Sequence, residues 1–235
     1  MGVPGDRDRR RLNHSTFVPA AAAVIVFAVA MGYLESAVVV YLRGALGLAM
    51  SSLPTDTSTG LAQFESTEAA RELATLVMIA TAGWLAGRAG WERLAWSAVI
   101  FGTWDIVYYA GLFVISGWPP SLDTWDVLFL VPVPWVGPVW APMAVSVALV
   151  SGGLLAAQRL RAGYVIRVHP GQLAAALLGA VLVFASFVVD GPRVLAGDPG
   201  AWTGWPLLVA GIALGAAGTL TAIAGASTRR SRGFS

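Results

Sequence analysis

The chain has 235 residues, of which 57% are hydrophobic and 12% charged, with net charge +2 and mean hydropathy +0.70. Soluble domains carry about 25% charged residues, so a soluble globular class is excluded and most of the chain is expected to sit in lipid. Cysteine and lysine are absent, which removes disulfides, thiolate metal sites, cysteine nucleophiles and Schiff-base chemistry, and two histidines (His14, His169) are too few for a zinc site or an imidazole relay.

A transmembrane helix needs about 20 mostly apolar residues. Six segments meet this: Phe17–Leu42, Ala69–Arg88, Trp91–Gly117, Pro138–Gln158, Gln172–Val189 and Gly204–Gly225. The predicted fold is an all-α, polytopic bundle of six spans in one transmembrane domain, residues 17–225. Basic tails flank it at 1–16 and 226–235. The first segment follows "DRDRRR" and contains "AVA" at Ala28–Ala30, a small-residue cleavage pattern. Its apolar run continues to Leu42, longer than a signal-peptide core of about 7–15 residues, so it is read as a span. The first loop, Gly44–Thr67, is polar and rich in turn formers ("SSLPTDTSTG"). Gly83/Gly87 and Gly211/Gly215 are GxxxG patterns that let helices approach closely, within the bundle or toward a helical partner.

All fifteen basic residues are Arg. Arg7, Arg9, Arg10, Arg11, Arg88, Arg93, Arg159, Arg161, Arg167, Arg229, Arg230 and Arg232 fall on one side of six spans; Arg43, Arg71 and Arg193 fall on the other. The positive-inside rule then puts both termini in the cytoplasm of a cell membrane, plasma or bacterial inner. The pI of about 9.4 reports orientation, and no nucleic-acid partner is expected.

Of the thirteen acids, Asp6, Asp8 and Glu92 share the side of the Arg clusters, and the other ten face outward or lie toward the outer half. Glu35 lies past the midplane of the first span. The second opens on "ESTEAARELAT", where Glu65, Glu68, Arg71, Glu72 and Thr75 share a face at spacings of three and four. Asp105 lies roughly 21 Å above Trp91 at 1.5 Å per residue, with Tyr108 and Tyr109 nearer the outer surface. "SLDTWDVLFL" adds Asp123 and Asp126. By contrast Phe17–Gly32, Ile79–Gly87 and Ala141–Ala157 carry no charge, so the polarity is one-sided. Between Leu130 and Pro142, "LVPVPWVGPVWAP" holds four prolines, each lacking an amide donor. The fourth span is long enough without it, so a broken or re-entrant outer segment is expected there, walling a cavity beside Trp135.

Charges inside a span are costly and mark functional sites. Glu72 and Asp105 are the candidate acid–base residues; Glu35, Glu68, Arg71, Tyr108, Tyr109, Asp126 and Trp135 are candidate ligand contacts. Arg43 snorkelling at a helix end, solvated Asp56, Glu65 and Asp123, an Arg71 ion pair and Asp126 capping a short segment are the purely structural counterparts. The expected function is a one-sided site in the outer leaflet for a small or lipid-linked ligand. No cofactor is evident, although the oxygen-rich set would suit a hard cation such as Ca or Mg. A proton- or cation-coupled small-solute transporter and a non-enzymatic complex subunit or assembly factor are the alternatives. HExxH, GxSxG and DxDxD-like motifs are absent.

Overall fold

The computed structural model describes residues 6–45, 47, 65–198 and 200–228. Asp56, most of the first loop and the basic residues after 228 lie outside them. The elements are α1 (Asp6–Ala45), α2 (Glu65–Ala86), α3 (Gly90–Ser116), β1 (Trp125–Phe129), β2 (Trp135–Pro138), α4 (Trp140–Arg161), β3 (Tyr164–Val165), α5 (Pro170–Val188), α6 (Gly191–Leu195), α7 (Trp205–Ala224) and β4 (Ser227–Thr228). Six helices, counting α5 and α6 as one continuous stretch, are long and apolar enough to cross a membrane. Large apolar side chains stand exposed along them, among them Val26, Leu73, Val77, Leu85, Val114, Leu177 and Val209. Such a surface is tolerated where lipid is the solvent.

α3 is the hub and packs on α1, α2 and α4. Its fully buried Trp96, Val99 and Ile100 meet Val24 and Ala28 of α1 and Ile79 of α2 in the largest apolar core. Small residues set the helix spacing, since helices in lipid associate by close packing. A Cβ on Gly32 of α1 would lie 2.6 Å from the Trp104 carbonyl of α3, and one on Gly153 of α4 would lie 2.6 Å from the Ala95 carbonyl. Ser36 joins the α1–α3 seam by donating to the Gly32 and Tyr108 carbonyls, each at 2.9 Å. Both GxxxG patterns touch a neighbouring helix within the chain, although a Cβ on Gly215 would meet nothing within 4 Å. Gly83 and Gly87 abut Ser97 and Arg93 at the α2–α3 turn, and Gly211 and Gly215 face Gly179 across α5–α7.

The all-α expectation is corrected at the proline-rich segment. It forms an antiparallel hairpin pairing Trp125 with Pro138, Asp126 with Gly137, Val127 with Val136 and, past a register shift, Phe129 with Trp135. Trp125–Phe129 is β-branched and aromatic at a length typical of strands. The prolines Pro132 and Pro134 fall in the connection, and Pro138 ends β2 where it leads into α4. A second two-stranded pairing, β3 with β4, lies at the opposite, Arg-rich end. The hairpin lies at the end of the bundle where α1 and α3 finish and α2 and α4 begin.

Candidate functional site

α1 and α2 meet at the hairpin end through Arg71. Its guanidinium pairs with the Glu35 carboxylate of α1 and, one turn back on α2, with Glu68 at 2.6 Å. Glu35 is 12% exposed and Arg71 28%, so this is a partly desolvated triad. Thr75 reaches Glu35 at 3.5 Å, a long hydrogen bond. The spacing of Glu68, Arg71, Glu72 and Thr75 thus does bring one face of α2 to α1. Glu65's side chain is outside the described residues.

Glu72 turns elsewhere. Its carboxylate accepts the Leu130 amide at 3.0 and 2.9 Å and the Val131 amide at 3.3 Å. It therefore clamps the connection between β1 and β2, where the prolines leave few amides to bond. The clamp is structural work for a residue singled out as a candidate acid–base group.

Asp105, 7% exposed, accepts a 2.7 Å hydrogen bond from Ser146 of α4. Asp126 sits in β1, where Tyr109 donates its phenol to Oδ2 at 3.0 Å and the Val127 amide donates to Oδ1 at 2.9 Å. It is a strand residue, which corrects the capping alternative. Burial pushes the Asp126 carboxyl up to about 6, opposed by the Tyr109 and Val127 hydrogen bonds and the charge of Arg43. Tyr108 links the groups. It stacks on Trp104, meets Tyr109 edge-on at 5.1 Å, and lies within electrostatic range of Asp126, Arg71, Arg43 and Asp105.

The candidate residues thus gather only in part. Glu35, Glu68 and Arg71 form one cluster; Asp105, Ser146, Tyr109 and Asp126 form a second pair of carboxyl–hydroxyl contacts; Tyr108 stands between them. Trp135 packs among Phe129, Phe184 and Phe187. Its indole N–H, like that of Trp104, is buried without a hydrogen-bond partner among the described residues. Among those residues no three acids or histidines gather as a metal site would require.

The expectation of one-sided polarity is also corrected. At the Arg-rich end Glu92 and Arg161, 5% and 7% exposed, form a buried ion pair at 2.7 Å. Arg161 also donates to the carbonyls of Thr16 and Ala86, and Glu92 accepts from Trp96 and the Arg88 amide. One signal was available: Glu92 is the only acid in the loops and spans that shares a side with the Arg clusters. Ser36 and Ser146 carried no signal beyond being hydroxyls in apolar helices.

Helical architecture, six spanning-length helices and an apolar outer surface define the build of a multi-pass membrane protein. Compared with known proteins, the chain matches no family model, no curated protein and no solved structure.

Proposed function

We propose that the hairpin end faces outward from a cell membrane, with both termini cytoplasmic, and binds a small or lipid-linked ligand in its outer leaflet. The carrying observation is the meeting of ionisable and phenolic groups from α1, α2, α3 and β1 at one end of an otherwise apolar bundle. Arg71 is the basic group offered to a ligand anion, since its side chain stays 28% exposed while paired with Glu35 and Glu68. Asp105 and Asp126, each held by a hydroxyl donor, are the groups suited to proton exchange or to binding a ligand donor. Glu72 acts by positioning the hairpin over them. A Ca or Mg ion fits this reading only with ligand oxygens or water completing a shell begun by two carboxylates.

The test compares Asp105→Asn with Arg71→Leu by thermal melting in detergent. Arg71→Leu strands Glu35 and Glu68, and its cost is expected near the low end of the roughly 3–5 kcal/mol for a broken buried pair. Asp105→Asn keeps the shape and an acceptor for Ser146, so the fold should survive. Because the two side chains belong to separate clusters, their effects should add. A double mutant that regains stability would make Asp105 part of the Arg71 scaffold and remove it from the site.

The buried Glu92–Arg161 pair favours a second reading, a transporter, because it supplies a charged station at the opposite end. Proteoliposomes enclosing a pH-sensitive dye separate the two. Under the leading reading, imposed gradients dissipate no faster than in empty vesicles. Flux abolished by both Asp105→Asn and Glu92→Gln would establish the transporter.

A further inference from the structure

A second site lies apart from the carboxylate clusters. Trp125 of β1, Trp140 at the start of α4, Trp202 in the loop before α7 and Trp205 at the start of α7 line one cavity of about 300 Å³ with Pro138, and Asp123 completes its wall. Two of the rings, Trp140 and Trp202, are held by contacts with each other and with their neighbours. Trp202 stacks on Phe187, meets Trp140 edge-on at 5.2 Å and donates its indole N–H to the Ser186 carbonyl at 3.2 Å. The backbone of Trp125 is set by its pairing with Pro138 in the hairpin. An interfacial aromatic belt requires only that each tryptophan lie at headgroup depth. It does not require four indoles from three elements and a loop to converge on one pocket with a carboxylate beside them.

The chemistry of that lining selects a cation. Tryptophan presents the most favourable aromatic face to a positive charge, and aromatic cages take quaternary and methylated ammonium groups. Asp123 is exposed and adds a negative charge. The neighbouring basic group, Arg193 beside Gly200, is already engaged with Asp190 and the Ala201 carbonyl, both at 2.8 Å. The α4 N-terminus is not a ready anion site either. The Val139 and Trp140 amides donate to the Thr124 and Leu122 carbonyls, and Pro142 has no amide to offer.

We infer that this tryptophan pocket binds an organic ammonium group, carried either by a lipid headgroup or by a free small solute. Choline and its uncharged isostere 3,3-dimethylbutan-1-ol, titrated onto the purified full-length protein in a non-ionic detergent, test it. Isothermal titration should show choline binding at least about tenfold tighter than the isostere. Trp205→Leu should weaken choline about tenfold, Trp205→Phe less, and Asp123→Asn a few-fold. Trp205 is 55% exposed, so its replacement should leave the melting temperature unchanged; Asp123→Asn serves as the second, surface variant. Native mass spectrometry from nanodiscs of mixed phosphatidylcholine and phosphatidylglycerol assigns the source. Phosphatidylcholine retained by the wild type and lost in Trp205→Leu identifies a headgroup; choline binding without such retention identifies a free solute. Equal affinity for choline and its isostere, no choline binding at millimolar concentration, or an unchanged choline affinity in both Trp205→Leu and Asp123→Asn overturns the inference. None of these outcomes touches Arg71, Asp105 or Asp126, so the outer-leaflet reading stands or falls separately.

Discussion

At the scale of single residues, burial and hydrogen bonding compete most openly at Asp126. A carboxyl with a folded-state value near 6 and an ordinary unfolded value near 4 binds its proton more tightly when folded. Its contribution to stability is therefore present at low pH and is lost as pH rises from about 4 to 6. Tyr109→Phe removes a donor that favours the charged form, so titration should move higher still. The protonated-carboxyl band in the infrared, with Asp126→Asn as the reference, follows this directly. A midpoint near 4, or one indifferent to Tyr109→Phe, would contradict it. At the other end of the molecule, Arg161 holds the most deeply buried ion pair described. Arg161→Leu should cost about 3–5 kcal/mol by leaving Glu92 uncompensated, more than Arg71→Leu, and replacing Glu92 as well should recover most of it. Equal melting of the Arg161 and Arg71 variants would show that burial does not set the cost here.

At the scale of elements, the hairpin explains the prolines. A strand pair needs its amides paired, and Pro132 and Pro134 cannot take part, so they collect in the turn. There the Leu130 and Val131 amides are taken by Glu72 from another helix. Glu72→Ala should leave these amides without their acceptor, costing about 1–3 kcal/mol. Hydrogen exchange should then rise at Leu130 and Val131 but not in α3. Exchange unchanged at both would mean that water or the turn itself satisfies them. The break in the backbone was legible in "LVPVPWVGPVWAP", but its form was not. A thirteen-residue apolar stretch with four prolines is compatible with a re-entrant turn or a hairpin. The acceptor that favours the hairpin sits 58 residues earlier. The α2 face, by contrast, was readable because helical spacing is local: Glu68 and Arg71 pair at i,i+3.

At the scale of the whole molecule, six helices of spanning length could be read directly, because a bilayer demands length and apolarity of each and both leave a mark in composition. The Glu92–Arg161 pair could not, since neither residue breaks an apolar run and 69 positions separate them. Orientation rests on the arginines. In this cysteine-free chain, single cysteines at Ser121, by the hairpin, and at Gly171, by the Arg-rich end, report it; a Cβ at Gly171 meets nothing within 4 Å. An impermeant thiol reagent on intact cells should label Ser121→Cys and spare Gly171→Cys, and the reverse pattern would invert the proposed topology. The proposed site is tested most directly by native mass spectrometry of the protein taken from its own membranes, wild type beside Asp105→Asn. A bound molecule of fixed mass on the wild type, reduced about tenfold or more in an Asp105→Asn protein that melts normally, is the predicted result. Identical spectra for the two proteins, with Asp105→Asn melting as low as Arg71→Leu, would contradict it and make the buried carboxyl part of the scaffold.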